Sequence, residues 1–305
     1  MIAGPTASGK TSLSLRVAAR LGGEIISVDS RQCYRFLDIG TAKPTPEELH
    51  RVPHHNISVL DLSEPDSAAK FHDRANEYIH AIESRGKRVI FCGGSTLHLQ
   101  SLIQPLDQIP ETDPEILREL QQRVTSEGLH SLYEELSKAD PLYISSMDGM
   151  NPQRVLRALA VWKQTGKPFS SFHNSNSPGP SDDLEIFLIH RNRRELHERI
   201  SRRTDQMIRH GLLDEARAIS EKGWPNDLQS LQTVGYREVF NYLNGLCSYE
   251  QMIDDINTST RRYAKRQITW FRKWEFATVL TLSEMDLLKA ENEIVKQVAA
   301  KEHNP

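Results

Sequence analysis

The stretch GPTASGKT, residues 4–11, constrains this chain more than any other part of it. It fits the pattern G-x-x-x-x-G-K-[ST], in which glycines permit a tight loop, lysine supplies charge and the last hydroxyl can bind a magnesium ion. Backbone N–H groups in such a loop converge on one anion, and the positive end of the following helix adds to the field. Because SLSLRVAARL has apolar residues at helical spacing, a chance Gly-rich turn is the weaker alternative. The sequence therefore predicts a phosphate loop that consists of Gly4, Pro5, Thr6, Ala7, Ser8, Gly9, Lys10 and Thr11, with Thr11 as the metal ligand.

Composition sets outer limits on the kind of protein this is. A chain of 305 residues that is 38% hydrophobic and 26% charged is typical of a soluble protein with one or two domains. No apolar run approaches bilayer length, and the phosphate loop begins too early to leave room for a signal peptide. We therefore expect a cytoplasmic protein without membrane contact, and we expect a monomer.

Cysteine and histidine do not indicate a metal site. The three cysteines lie far apart without C-x-x-C spacing, which predicts neither a disulfide framework nor a zinc site. The segment HRVPHH, residues 50–55, has no cysteine or carboxylate at ligand spacing. We interpret it as a solvated loop.

Short apolar runs separated by helical patterns indicate the fold class. A strand-like beginning precedes the phosphate loop, and EIISV, RVIFC and EIFLIH follow at 24–28, 88–92 and 185–190. This alternation predicts an α/β fold, a P-loop NTPase-like parallel sheet flanked by helices. After the last of these strands we expect only helix.

The stretch between the third and fourth predicted strands is different. It is helical in pattern, contains no strand, and closes with the linker SFHNSNSPGPSDD. We therefore predict an all-helical insertion domain at 108–182 and a core domain formed by 1–107 and 183–305.

Asp29 is the carboxylate that the sequence places beside the phosphates. It ends the strand EIISV, and open α/β sheets bind ligands past the carboxyl ends of their strands. RVIFC is followed by GGST, where an ATPase more often has an acidic residue, and the chain has no N-K-x-D for guanine. Asp29 is thus a candidate for chemistry, and the alternative is an indirect role at the magnesium ion.

Positive charge is unevenly placed in a chain whose formal net charge is −3. A first basic tract, 191–209, has seven arginines. This tract, like the second one at 261–273, could meet a polyanion. Arg203 falls on the apolar face of its predicted helix, where an unpaired guanidinium would be costly. It is either paired with a carboxylate or available to the phosphates of a ligand.

The second basic tract, 261–273, contains six basic residues and no acid. A helical stripe through Tyr263, Gln267 and Trp270 is flanked by basic residues, among them Lys265 and Arg266. A stripe that faces the core, with solvated residues on either side, explains the aromatic residues better than base stacking does. It does not explain why the residues on both sides form unbroken basic rows.

In the insertion, NPQRVLR has the capping signals of a helix start, Asn151 and Pro152. Arg154 and Arg157 share one face of that helix, and Leu156 turns toward the core. That face is suited to a phosphate backbone or a base edge, or else is simply solvated.

Together these segments resemble the bacterial tRNA dimethylallyltransferase family, also called tRNA isopentenylpyrophosphate transferases. The resemblance covers nearly the whole chain, and its segments occur in the family's order and spacing. They are GPTASGKT, DSRQCYRFLDIGTAKP, NPQRVLRAL, LHERISRRTDQM, TVGYRE and AKRQITWFRK.

The resemblance implies a reaction and a set of site residues. The family transfers the dimethylallyl group of dimethylallyl pyrophosphate to N6 of the adenosine 3′ of the anticodon, with Mg²⁺. Asp29 would then be the base, Arg203 would stabilise departing pyrophosphate, and Thr6 would contact its bridging oxygen. The implied tRNA contacts are Asp29, Ser30, Arg31, Gln32, Ser95, Gln153, Arg154, Val155, Leu156, Arg157, Gln232, Thr233, Val234, Gly235, Tyr236, Arg237, Lys265 and Arg266.

Two segments depart from the family pattern. The family commonly has G-G-T-G-L-Y where this chain has GGSTLH at 93–98, so Ser95 keeps the hydroxyl and His98 replaces an aromatic residue. Gln232 stands where the family commonly has arginine.

Three other functions share parts of this pattern. An isopentenyltransferase for free adenine nucleotides would share the phosphate loop and Asp29, but it would not need the basic tracts. A kinase of a small metabolite would bind ATP. An RNA-binding switch protein would show nucleotide-dependent RNA affinity without a modified product.

Overall fold

The structure is a computed structural model that describes residues 1–104, 106–173, 179–181 and 183–302. The chain divides into two compact units, a core unit of 1–103 and 180–305 and a helical unit of 104–179. Residues 174–178 and 182 of the predicted linker lie outside the described residues.

The core unit is built on one sheet in which every strand pair is parallel. Its strands are β1 (Ile2–Ala3), β2 (Gly23–Val28), β3 (His54–His55), β4 (Arg88–Gly93), β5 (Phe187–His190) and β6 (Thr278–Thr281). Their order across the sheet is β3-β2-β4-β1-β5-β6. The predicted parallel sheet is confirmed, and β1 lies between β4 and β5.

Two sequence predictions about this sheet are wrong. His54 and His55 form β3 beside β2 rather than a solvated loop, and the chain after β5 is not all helical because β6 pairs with β5. β3 is too short, at two residues, to show an alternation that sequence patterns could detect. β6 has four residues, the same number as β5.

Alternation along the strands builds the core on both faces of the sheet. Ile25 packs into a cluster with helix α1 (Lys10–Leu21), whereas Ile26 and Val28 pack into a cluster with α3 (Ala68–Glu83) on the other face. Buried on both faces, such strands read as continuous apolar runs. Because β1 and β2 both pair parallel with β4, the carboxyl ends of these three strands lie together at one edge of the sheet.

The remaining helices of the core unit flank this sheet or extend from it. They are α2 (Pro46–Arg51), α4 (Thr96–Ile103), α9 (Arg193–Arg209), α10 (Leu212–Glu221), α11 (Tyr236–Leu243), α12 (Tyr249–Phe271) and α13 (Leu287–Glu302). Helix α9 begins at the N-cap Asn192, whose side chain accepts from the Glu195 backbone N–H. Helix α12 begins at the N-cap Ser248 and carries the second basic tract.

The helical unit has its own core. It contains α5 (Pro114–Glu127), α6 (Leu129–Ala139), α7 (Pro141–Ser146), α8 (Pro152–Thr165) and a 3₁₀ turn (Phe169–Phe172). Asn151 caps α8 by accepting from the Arg154 backbone N–H, and Pro152 is its first residue, as predicted. Leu120, Leu132 and Leu136 are fully buried against α8.

Within the described residues, no helix is both long enough and apolar enough to cross a membrane.

Candidate active site at the phosphate loop

The phosphate loop links β1 to α1 and has the backbone shape that binds anions. Gly9 has φ 98° and Ala7 has φ 61°, both in the left-handed region. Gly4 has no room for a side chain, since an added Cβ would lie 2.9 Å from the Ile189 carbonyl oxygen. The first N–H groups of α1 therefore point into the loop, where an anion meets the positive end of the helix.

Lys10 turns its side chain back over this loop. Its Nζ donates to the Pro5 carbonyl oxygen at 3.3 Å. Burial lowers the pKa of Lys10, the nearby Arg203 lowers it further, and Asp29 acts in the opposite direction. Among the described residues no carboxylate contacts this half-buried ammonium, which suits it to a negatively charged ligand.

Two arginines of the first basic tract hold the outer side of the loop. Arg199 Nε donates to the Ala7 carbonyl oxygen and Arg191 Nε donates to the Ser8 carbonyl oxygen, each at 2.7 Å. Sequence reasoning treated these arginines only as part of a polyanion-binding surface. Their contact with loop carbonyls instead fixes the loop so that its N–H groups face inward.

Gln267 holds the inner side of the loop, and sequence reasoning missed this role. Its Oε1 accepts from the Thr6 backbone N–H at 2.8 Å, and its Nε2 donates to the Gly94 carbonyl oxygen at 2.7 Å. The predicted core-facing stripe on α12 places Gln267 correctly, since it is 2% exposed. Sequence alone could not identify partners that lie 261 and 173 residues away.

A cavity of about 60 Å³ lies at the carboxyl edge of the sheet, beside the phosphate loop. The structure brings together here the loop, the end of β2, the exit from β4 and side chains of α9 and α12. The lining residues include Thr6, Lys10, Thr11, Asp29, Gln32, Thr41, Gly93, Gly94, Arg203, Tyr263 and Gln267.

Asp29 lies in this cavity with one carboxylate oxygen held and the other available. Oδ1 accepts from the backbone N–H groups of Arg31 at 2.9 Å and Gln32 at 3.3 Å. Among the described residues, no hydrogen bond reaches Oδ2. The carboxylate is therefore fixed in orientation while one oxygen can accept a proton from a ligand.

Arg203 faces the same cavity from α9. Its Nη1 donates to Thr6 Oγ1 at 3.3 Å and its Nη2 donates to the Thr41 carbonyl oxygen at 3.4 Å. Burial lowers the pKa of Arg203, and the charge of Asp29 partly offsets this effect. No ion pair joins it to a carboxylate in the described part of the chain, so the geometry favours the ligand-binding alternative.

Oxygen donors near the loop fit a magnesium ion. The Thr11 hydroxyl and the Asp29 carboxylate line the same cavity, and Mg²⁺ prefers such hard oxygen ligands together with substrate phosphates and water. No cluster of three or more His, Cys, Asp or Glu residues suited to a metal occurs among the described residues. The few protein oxygens available match a magnesium site in which a bound diphosphate supplies the other ligands.

The loop after β2 uses its polar side chains internally. Gln32 Nε2 donates to the carbonyl oxygens of Thr41 at 3.2 Å and Ala42 at 3.0 Å, and Arg31 Nη1 donates to the Gln229 carbonyl oxygen at 2.8 Å. Ser30 is half-buried beside them. These bonds shape the cavity wall that follows Asp29.

Residues 232–237 contribute mainly to the interior. The Tyr236 side chain is fully buried, and its hydroxyl donates to Glu215, a carboxylate that also accepts from the Ile39 N–H. Thr233 and Gly235 are buried, Val234 is half-buried, and Gln232 and Arg237 are exposed. The Tyr236 ring thus packs in the core, and contact of residues 232–237 with tRNA stays a prediction.

The predicted tRNA-contact residues of the helical unit differ in how far their side chains are exposed. Gln153, Arg154 and Arg157 are exposed on α8, whereas Val155 is 0% and Leu156 9% exposed in the core of that unit. The helical period turns the side chains of Val155 and Leu156 inward, and contact of these two residues with tRNA stays a prediction.

Lys265 and Arg266 are exposed on α12, next to two residues that line the cavity. The Arg266 guanidinium lies 5.8 Å from the centre of the Tyr263 ring. Their side chains therefore extend into solvent beside the predicted site, where phosphate groups could reach them.

Ser95 lies at the exit from β4, directly after the two glycines that line the cavity. Its backbone N–H donates to the Val28 carbonyl oxygen at 3.3 Å, and its hydroxyl is 2.9 Å from Nδ1 of His98. The residue is 9% exposed. Its backbone therefore lies against that of Val28, the residue before Asp29.

Comparison with known proteins gives consistent matches over most of the chain. The profile of a family described as IPP transferase matches residues 32–274. A tRNA dimethylallyltransferase of Salinibacter ruber is 46% identical over 275 residues, which cover 90% of this chain and 85% of that protein.

Solved structures match equally well. The tRNA isopentenylpyrophosphate transferase of Bacillus halodurans superposes with a TM-score of 0.71 at 39% identity and covers 99% of this chain and 97% of its own. A eukaryotic dimethylallyltransferase, described as acting on tRNA, gives a TM-score of 0.82 at 27% identity, covering 100% of this chain and 79% of its own.

Proposed function

Since the chain belongs to the IPP transferase family, we propose that it transfers the dimethylallyl group of dimethylallyl pyrophosphate to N6 of the adenosine 3′ of the anticodon in tRNA. One observation carries the proposal: the phosphate loop, Asp29 and Arg203 line one cavity. Among the described residues, Oδ2 of Asp29 accepts no hydrogen bond and Arg203 pairs with no carboxylate. The loop then binds a leaving group rather than a nucleotide.

The reaction forms one bond and breaks another. The N6 amine attacks the allylic carbon, the bond from that carbon to the pyrophosphate oxygen breaks, and its electron pair leaves with pyrophosphate. An exocyclic adenine amine is a poor nucleophile because its lone pair is delocalised into the ring. Asp29 Oδ2 accepts the proton that the amine loses as the new bond forms.

The pyrophosphate is stabilised by groups that are already oriented. The N–H groups of the phosphate loop and the Lys10 ammonium bind its charge, and Arg203 adds a guanidinium on the side of Thr6. The Thr6 hydroxyl is placed to contact the bridging oxygen. The Thr11 hydroxyl would hold Mg²⁺, which when bound neutralises developing charge on the pyrophosphate.

The target base must leave the anticodon-loop stack to reach this cavity, as for other enzymes that act on bases. Exposed basic residues beside the cavity, Lys265 and Arg266, bind the RNA backbone. We also propose that Gln153, Arg154 and Arg157 contact tRNA, and that the protein acts as a cytoplasmic monomer.

A single assay tests the proposed function. Purified protein is incubated with dimethylallyl pyrophosphate, Mg²⁺ and an anticodon stem-loop that carries adenosines after the anticodon, and the RNA is then analysed by mass spectrometry. We expect the mass of the RNA to increase by one dimethylallyl unit. Adenosine monophosphate replaces the stem-loop in a parallel reaction, and modification of the nucleotide alone would favour a free-nucleotide isopentenyltransferase.

Calorimetry separates this function from the kinase and switch alternatives. We expect dimethylallyl pyrophosphate to bind and ATP to bind much more weakly. Tight ATP binding with phosphorylated product would establish a kinase, and nucleotide-dependent RNA affinity without any product would establish an RNA-binding switch.

Replacement of Arg203 should slow the reaction. In Arg203→Ala we expect turnover to fall by about 10²-fold, because one preorganised cation no longer stabilises the leaving pyrophosphate. Steady-state kinetics with both substrates measure the change. Arg202→Ala is the matched control, since Arg202 is exposed on the same helix; equal losses in both variants would contradict the assignment.

Removal of positive charge beside the cavity should flatten the salt dependence of tRNA binding. In the Lys265→Ala/Arg266→Ala variant we expect the slope of log affinity against log salt to decrease by about 0.7–0.9 for each lost phosphate contact. Binding titrations over a series of salt concentrations measure this slope.

The control for this experiment carries Arg20→Ala and Lys87→Ala. Arg20 lies near the end of α1 and Lys87 directly before β4, so both lie at the opposite edge of the sheet. An identical slope for the two double variants would place Lys265 and Arg266 outside the RNA interface.

A further inference from the structure

A line of buried polar side chains runs from the cavity edge into the core unit. Ser95 Oγ lies 2.9 Å from Nδ1 of His98, and Nε2 of the same imidazole lies 3.4 Å from Oδ2 of Asp66. The three residues are 9%, 6% and 8% exposed, respectively. The Phe71 ring packs on the imidazole at 4.8 Å between centroids and limits its rotation.

Asp66 is firmly held at the inner end of this line. Its Oδ1 accepts from Arg74 Nη2 at 3.0 Å, and Gln229 binds both its backbone N–H and its carbonyl oxygen at 3.0 Å. Burial acts to raise the pKa of Asp66, but the hydrogen bond from His98 and the charge of Arg74 outweigh it and hold the pKa below its usual value. The carboxylate is therefore ionised.

An ionised carboxylate determines which imidazole nitrogen carries the hydrogen. A carboxylate only accepts, so Nε2 of His98 must donate to Asp66. In the neutral imidazole, Nδ1 then carries a lone pair and accepts the hydroxyl hydrogen of Ser95. The Ser95 oxygen is left with lone pairs only, so it can accept a further hydrogen bond and cannot donate one.

The backbone of Ser95 lies next to the segment that carries the proposed base. Gly93 and Gly94 line the cavity, and the N–H groups of Gly94 and Ser95 both donate to the Val28 carbonyl oxygen, at 3.2 and 3.3 Å. Asp29 follows Val28 directly. The adenine N6 amine has two hydrogens, of which Asp29 removes one, and the second needs an acceptor when the base is buried.

We propose that His98 and Asp66 are positioning residues that hold Ser95 as the hydrogen-bond acceptor for the second N–H of the target adenine amine. The inference rests on the proposed tRNA modification and adds a determinant of its base specificity. A site that accepts from an exocyclic amine discriminates against a base that lacks one.

Equilibrium binding tests the inference without requiring transfer. Two anticodon stem-loops are compared in the absence of dimethylallyl pyrophosphate, one with adenosine and one with purine riboside, which lacks the amine, at the target position. We expect Ser95→Ala and His98→Phe each to weaken binding of the adenosine stem-loop by about threefold to tenfold. Binding of the purine riboside stem-loop should not change.

A double-mutant cycle separates positioning from packing. If His98 acts through Ser95, the Ser95→Ala/His98→Phe variant binds the adenosine stem-loop no more weakly than Ser95→Ala does. Additive losses, or equal losses for both stem-loops, would overturn the proposal.

His98→Gln is a second variant for the case that His98→Phe does not fold. Its amide oxygen can accept from Ser95 while its amide nitrogen donates to Asp66, so we expect it to retain most of the affinity for the adenosine stem-loop. Loss of affinity for both stem-loops in this folded variant would mean that His98 only packs, and the proposal would be wrong.

The two proposals fail in different ways. A protein that modifies the stem-loop but shows no amine-dependent coupling between Ser95 and His98 retains the proposed function and loses this inference. A protein that shows the coupling in binding but forms no dimethylallyl product retains the inference about recognition and loses the proposed transfer.

Discussion

Asp29→Asn is expected to lower turnover by roughly 10²–10⁴-fold and to leave tRNA affinity nearly intact, as removal of a general base should. The amide has almost the same shape as the carboxylate, and its oxygen can still accept from the backbone N–H groups of Arg31 and Gln32. The loop after β2 should therefore keep its conformation while proton transfer is lost.

Single-turnover measurements with bound tRNA and saturating dimethylallyl pyrophosphate separate this effect from binding. Asp38→Asn is a control, because Asp38 is an exposed carboxylate of the loop that follows β2. Wild-type turnover in Asp29→Asn would exclude the role of Asp29 as base, and a large loss of tRNA affinity would instead indicate that it mainly binds substrate.

Gly93→Ala is expected to destabilise the core unit by about 3 kcal/mol or more, at or above the upper end of the usual cost of overpacking. An added Cβ would lie 2.0 Å from the Val28 carbonyl oxygen and 2.5 Å from its carbonyl carbon. Both atoms belong to the backbone of β2, so neither can move away without disrupting the pairing of β2 with β4.

Urea unfolding followed by circular dichroism measures this change. Gly179→Ala is the matched control, because a Cβ at Gly179 would meet no atom within 4 Å and its φ is not in the left-handed region. We expect a lower unfolding midpoint in Gly93→Ala only. Equal midpoints in the two variants would mean that β2 and β4 separate at little cost.

The sequence identified the centre of the site because its signals are local. The phosphate loop is a contiguous motif, Asp29 follows directly after a buried strand, and the helical period turns Arg203 inward. Each inference needs only the residues within one strand or a few helical turns, and the structure places all three around one cavity.

The residues that hold the site in place could not be predicted in the same way, because their partners lie in distant parts of the chain. Arg199 reads as one arginine among seven, and its partner is a loop carbonyl 192 residues away. Tyr236 belongs to a motif that resembles the family, but its buried contact with Glu215 depends on the packing of α10 against α11. The strands β3 and β6 form by pairing with β2 and β5 at the two edges of the sheet, which no local pattern shows.

The contact between Thr6 and Gln267 bears on how the protein is synthesised. β1 is made first, yet it is hydrogen-bonded between β4 and β5, and the loop that follows it is completed by a side chain 261 positions later. A nascent chain therefore cannot assemble its anion pocket until α12 has emerged from the ribosome. Truncated translation products that end before this helix should accumulate as chains with an unsupported phosphate loop, open to proteases and without a completed anion pocket.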